Sequence, residues 1–192
     1  MKIKLCIAAL AAAVTVAGHA HANDFEPALR GYLENEIRQW SGESILVSAI
    51  QAQNAKTSGL SEPEILELDN TWRNEVGNGN SEIINQVLNN SAADFLRGVI
   101  EQSGGVVTEV FLMDSVGLNV AASGTTSDYW QGDEAKHSET YDVGPDAVHI
   151  GAVEFDESSQ TFQAQVSIPI NDPATNMPVG ALTVGLNAEA LF

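Results

Sequence analysis

Positive charge is scarce in this sequence: eight Lys and Arg stand against 26 Asp and Glu, a formal net charge of −18 at pH 7. A field of that sign repels nucleic acid and anionic lipid, so no nucleic-acid partner is expected. The cations are also unevenly placed, since Arg30, Arg38, Lys56, Arg73 and Arg97 precede residue 106 and only Lys136 follows it. Cysteine is reduced to Cys6, within a stretch expected to be removed, which excludes disulfide and thiol chemistry and leaves stability to packing. No apolar run beyond the N-terminus is long enough to cross a bilayer.

The residues of catalysis are thin as well. His137 and His149 lack the close spacing of a zinc pair, and there is no Gly-x-Ser-x-Gly elbow and no Gly-rich phosphate loop. Asp114-x-x-Gly117 lacks the alternating ligands of a calcium loop. The expectation is a protein that is not an enzyme, with no metal and no cofactor.

What is present begins with a leader. Lys2 and Lys4 precede an apolar run from Leu5 to Ala17 that closes on Ala20-His21-Ala22, the order of a cleaved signal peptide over residues 1–22. Export implies a periplasmic location. The remainder suits one domain with a single core, divided into a helical part, 23–105, and a sheet part, 106–192.

From Phe25 to about Lys56, apolar residues recur at three and four, as one helix face does. Unbroken, such a helix would be a rod of roughly 45 Å, longer than a small core covers, although Gly42 weakens it locally. Its surplus apolar face offers a route to a homodimer through the N-terminal helix. Ser61-x-x-Glu64 opens the next helix as a capping box, and Gly77-Asn78-Gly79-Asn80 is a turn by composition. A third helical region spans Ser81 to Gln102, with Ser91-x-x-Asp94 suggesting a second start inside it.

Strand chemistry then takes over. Five strands are expected: Val106 to Met113, Leu118 to Ala122, Val148 to Phe155, Thr161 to Ile170 and Val179 to Leu186. Asp114 to Gly117 fits a type I turn, Asp156-Glu157-Ser158-Ser159 is another turn, and short connections make the strands antiparallel. Helices first and a meander afterwards is an α+β pattern, with the helices gathered on one face of the sheet.

The connection between Ala122 and Val148 is too long to be structureless, and a lid is its usual use. It carries Asp128-Tyr129-Trp130, two adjacent rings that are costly to leave in water. Either they close the core, or they wall a ligand pocket with Asp133 and Lys136 as polar anchors. Ser127 is a candidate cap for a short helix setting Tyr129, Asp133 and Lys136 along one side.

A long N-terminal helix is followed by Val107-Thr108-Glu109-Val110-Phe111-Leu112-Met113-Asp114-x-x-Gly117, then Ser127-Asp128-Tyr129-Trp130-Gln131-Gly132-Asp133. Next come Val166-Ser167-Ile168-Pro169-Ile170-Asn171-Asp172 and the closing Val179-Gly180-Ala181-Leu182-Thr183-Val184. In that order the chain resembles the single Cache, or PDC-type, extracellular sensor domains. The resemblance implies a PAS-like curved antiparallel sheet of five or six strands flanked by a long N-terminal helix, with a small molecule bound between sheet and loop. By it Tyr129, Trp130 and Asp133 would line the pocket, and Asp172 looks like the acidic position that holds an amine. The amino-acid-binding relatives grip a carboxylate with an Arg-x-Trp pattern; this loop has no Arg, and Lys136 is its sole cation.

The function so implied is a periplasmic small-molecule-binding sensor domain without transmembrane or transmitter parts of its own, acting through a membrane sensor or transporter partner. The rival is an interaction module with a collapsed pocket and a partner-docking helix.

Overall fold

Alternation along the C-terminal strands decides the layering. In β5 (Thr161–Asn171) Ala164, Val166, Ile168 and Ile170 are buried in one cluster, and in β6 (Pro178–Asn187) Leu182, Val184 and Leu186 join them. A period of two sends the intervening residues, Gln163, Gln165 and Ser167 on β5 with Thr183 and Gly185 on β6, to the other face. One face is thus a hydrophobic floor and the other collects polar groups.

The computed structural model describes residues 25–78, 81–156 and 161–192. It joins these strands to β1 (Val107–Met113), β2 (Asn119–Ala122), β3 (His149–Ile150) and β4 (Glu154–Asp156) in one antiparallel sheet. The order is β2-β1-β6-β5-β3, with β4 also paired to β5. With β3 and β4 taken as one edge, this is the α+β, PAS-like connectivity expected. The signal peptide and the parts of the two turns at 79–80 and 157–159 lie outside the described residues.

The third expected strand is divided. Ile150 faces Val166, yet Glu154 faces Gln163, so the register slips by one residue across Gly151 to Val153. A bulge of this kind leaves one residue without a ladder partner and re-aims the strand. Beyond Ser167, opposite which β3 starts, β5 is an edge, and that is where Pro169 is tolerated.

The N-terminal helix is also divided. Helix α1 (Glu26–Tyr32) passes through a π-helical turn (Leu33–Ile37) into α2 (Arg38–Trp40), and α3 (Ser44–Thr57) starts afresh from an extended Glu43. The break at Ser41–Glu43 lets both halves lie over the sheet, with Leu29, Leu33, Ile37, Leu46 and Ile50 all buried. Each such side chain contributes roughly 1.5–3 kcal/mol over an exposed one, which favours the bend over a straight rod. The bend lays most of the expected apolar face against the core, while Tyr32 and Trp40 stay partly exposed.

Helix α4 (Glu62–Glu75) begins with the expected capping box, in which Ser61 N–H donates to Glu64 Oε2 at 2.8 Å. The next region is two helices, α5 (Glu82–Leu88) and α6 (Ser91–Gln102), with the second capped one residue before the expected place: Asn90 Oδ1 accepts Ala93 N–H at 2.9 Å. Helices α1, α3 and α6 cover the hydrophobic floor. Ile65 and Trp72 of α4 and Ile84 and Val87 of α5 instead join Phe111, Met113, Leu118 and Tyr129 in a second cluster. Phe111 and Met113 alternate with Val110 and Leu112 of the first cluster, so the second lies across the sheet, and helices contribute to both sides rather than one.

Candidate functional site

The site is built on three strands in one rank. Glu109 of β1 faces Gly185 of β6, which in turn faces Gln165 of β5. Gly185 has no side chain to interpose, and a Cβ there would lie 2.6 Å from Glu109 Cγ and 2.8 Å from Gln163 Nε2. Across this gap Gln163 Nε2 donates to Glu109 Oε1 at 2.8 Å and Gln165 Nε2 donates to the same oxygen at 2.9 Å. Thr108 Oγ1 completes the row by donating to Gln163 Oε1 at 2.6 Å. One carboxylate oxygen is thereby fixed by two amides, which leaves the other oriented and free of a protein partner among the described residues.

Over this rank opens a cavity of about 670 Å³, walled by Phe111, Thr126, Gln131, Lys136, Glu154 and Phe155 together with Glu109 and the two glutamines. The bulge between β3 and β4 supplies one side, because it brings Gly151, Ala152, Glu154 and Phe155 to the cavity edge. The central loop supplies the other. Its last part is a short helix, α7 (Ala135–Ser138), packed on β5 and β6.

Lys136 at the start of α7 lines the cavity. Its ammonium donates to Gln131 Oε1 at 3.1 Å, pairs with Glu134 at 2.9 Å and sits 5.4 Å from the centroid of the Phe111 ring. Those contacts use most of its donor capacity. Glu109 and Glu154 then give the cavity an anionic character.

The other expected site residues fall elsewhere. Tyr129 is buried in the second cluster, stacked on Trp72, and burial together with the Asp114 charge pushes its hydroxyl up to about 12. Trp130 donates its indole N–H to Val116 O at 2.8 Å and bridges Leu118 in strand fashion. Asp133 is exposed, apart from the cavity walls. Asp172 caps its own turn, accepting Ala174 N–H at 2.7 Å, and accepts Gln51 Nε2 at 2.9 Å. Of the five, the structure brings only Lys136 to the cavity.

The short helix expected to carry the aromatic pair does not form. Asn119 N–H donates to Tyr129 O at 3.0 Å and Gln131 N–H to Gly117 O at 2.8 Å, so this stretch runs as an extra ladder beside β2. Its own donors go to α4: Asp69 Oδ1 accepts Tyr129 N–H at 2.9 Å and Trp130 N–H at 3.0 Å. Arg73 pairs with both Asp69 and Asp128, and Trp72 donates to Thr126 O at 2.9 Å. Ser127 Oγ bonds Asp128 Oδ2 rather than capping a helix.

On the inner side of α7, His137 is buried, with Nε2 3.1 Å from Asp114 O, its ring stacked on Tyr141 and Nδ1 without a hydrogen-bond partner among the described residues. Burial pulls its pKa below the usual range, opposed by the Asp114 carbonyl and the charges of Asp142 and Asp114. Asp114 itself is fully buried. It accepts Thr57 Oγ1 at 2.7 Å, Gln53 Nε2 at 2.9 Å, and the N–H groups of Val116 and Leu118, and the turn it opens closes on Gly117 at φ +86°. The Asp114 carboxylate ties α3 to the first hairpin, and its backbone carbonyl meets His137 of α7.

Sequence reading passed over Glu109, Gln163 and Gln165. The signals were available: a Gln-x-Gln pair on one strand face, and a Gly amid a buried strand, which marks a close approach.

No protein-family model and no curated protein matches the chain. Among solved structures, the Vibrio cholerae histidine kinase DctB sensor domain is similar at 14% identity and a TM-score of 0.47, over 87% of this chain and 53% of that one. The sensory domain of the Campylobacter jejuni chemoreceptor Tlp3 with isoleucine bound gives 11% and 0.40, over 87% and 64%. The Escherichia coli DcuS sensor domain gives 14% and 0.39, over 67% and 90%. The chain thus spans between half and two thirds of the first two structures.

Proposed function

We propose that this chain is a small-molecule-binding domain of the sensor kind, exported to the periplasm by residues 1–22, which takes an amine-bearing polar metabolite into the cavity and acts through a membrane partner. The observation that carries it is Glu109, whose carboxylate is aimed into the cavity by Gln163 and Gln165 across the space that Gly185 leaves. A charge positioned by neutral donors is not a structural ion pair; its free oxygen is suited to accept from a ligand ammonium. Phe111 and Phe155 give the apolar part of a small molecule a surface, and Lys136 has room to donate once more, to an oxygen of the ligand.

The open cavity supports binding over the rival of an interaction module with a collapsed pocket. A thermal-shift screen of amines, amino acids and carboxylic acids, beside native mass spectrometry of protein taken directly from periplasm, tests the reading. An amine at a hundred times its dissociation constant should stabilise the fold by about 2.7 kcal/mol, and Glu109→Gln should remove that gain. Stabilisation by none of the amines, with no bound species in the native spectrum, would end the proposal.

A further inference from the structure

A second groove lies on the opposite side of the sheet from the cavity, between the N-terminal helix and α6. It encloses about 500 Å³ and is lined by Tyr32, Trp40, Phe95, Glu36, Glu43 and Gly98, among others. The Trp40 and Phe95 rings meet at 6.1 Å between centroids and 58° between planes, which makes an angled aromatic wall. Gly98 leaves the α6 side bare, since a Cβ there would meet only Gln102 Nε2 within 4 Å.

Three features mark this groove as more than a packing seam. Its charged lining residues are both carboxylates, Glu36 and Glu43. Glu36 sits in the π-helical turn, and such turns inside α-helices occur frequently at functional sites. The indoles of Trp72 and Trp130 each donate to a backbone carbonyl, whereas that of Trp40 donates to no group among the described residues. The Tyr32, Trp40 and Phe95 rings pack on the core along one side and stay partly exposed on the other.

We infer that this groove binds a small alkylated organic cation, such as a quaternary ammonium group. The aromatic faces attract positive charge through their quadrupoles, and they do so without the hydrogen-bond donors that an alkylated cation lacks. Glu36 and Glu43 supply the long-range attraction and reject anions. A neutral apolar guest of the same shape gains only the contact with the rings.

Titration of the whole protein with tetramethylammonium chloride, followed by two-dimensional NMR, tests this. The Trp40 indole resonance, identified by its loss in Trp40→Phe, should move saturably. Neopentyl alcohol, of nearly the same shape without charge, should leave it in place. Glu36→Gln with Glu43→Gln should weaken binding by about tenfold; both residues are exposed, so folding is not at issue. An equal response to the alcohol, or unchanged affinity in the double variant, would overturn the inference. So would a response confined to the side-chain amides of Gln163 and Gln165, which would put the cation in the sheet cavity. Concentration-dependent association lost on Trp40→Phe would give the groove to a second copy of this chain and overturn it equally. None of these failures touches the proposal for the cavity across the sheet.

Discussion

Trp72 of α4 and Tyr129 of the central loop stack with ring centroids 5.4 Å apart and planes 15° from parallel. The contact fixes a long loop to a helix some 57 positions earlier, and it makes the Tyr129 ring a structural part rather than a wall of the cavity.

Removing the ring should therefore cost stability first. Tyr129→Ala is expected to destabilise the fold by about 3–5 kcal/mol, the usual range for deleting a buried aromatic. Tyr129→Phe keeps the stack and should fall within about 1 kcal/mol of the parent. Urea unfolding with unchanged slope measures both, and a small loss in the alanine variant would show that the stack carries little.

Asp69 anchors the same loop through its backbone. Asp69→Ala strands the N–H groups of Tyr129 and Trp130 and leaves Arg73 with Asp128 alone. A loss of about 2–4 kcal/mol is expected from orphaning buried donors of a charge-assisted pair of bonds. Hydrogen exchange should accelerate at those two amides before it does in β5 or β6; uniform acceleration would contradict a local anchoring role.

Gly185 keeps the cavity floor open. In Gly185→Ala the new methyl group would stand 2.6 Å from Glu109 Cγ and 2.8 Å from Gln163 Nε2, so the carboxylate and its amides have to part. Ligand-induced stabilisation should fall at least about tenfold in apparent affinity, the scale of one lost charge-assisted hydrogen bond. Retained affinity in a folded variant would remove Glu109 from recognition.

His137 sets a pH dependence between neutrality and mild acid. Its folded pKa lies below the ordinary value of 6.5, because burial disfavours the imidazolium. Above that ordinary value both folded and unfolded forms are neutral and the full stability is present. As pH falls through it, the unfolded chain takes up the proton first, so stability declines until the folded pKa is reached. The melting temperature should drop from pH 7 to pH 5, and His137→Gln should flatten the slope. His149→Gln as background removes the other described histidine, which pairs with Glu139 at 2.8 Å. The low pKa of Glu64, held by Ser61, acts only further down, below the carboxylate reference of 4.5.

The local elements were legible because their causes are local. The capping box at Ser61 and Glu64 closes within one turn, the Asp114 to Gly117 turn within four residues, and the alternation of β5 repeats every second residue. The divided helices were half-legible: Gly42 and Ser91 marked weak places, but whether a helix breaks there depends on the surface it has to cover. The bulge at Gly151 to Val153 was marked only by a glycine inside the expected strand, since the register slip itself belongs to a pair of strands.

The sequence by itself determined the acidic charge, the α+β order of elements and the two faces of the sheet, all consequences of residue type and spacing along the chain. Tertiary structure alone decided where the aromatic pair went. Tyr129 and Trp130 had to leave water, but α4 offered Trp72 as a stacking partner and Asp69 as an acceptor for their amides, and those contacts join positions far apart in the chain. The cavity fell instead to Glu109, Gln163 and Gln165, ordinary polar residues until the pairing of three strands placed them around one missing side chain.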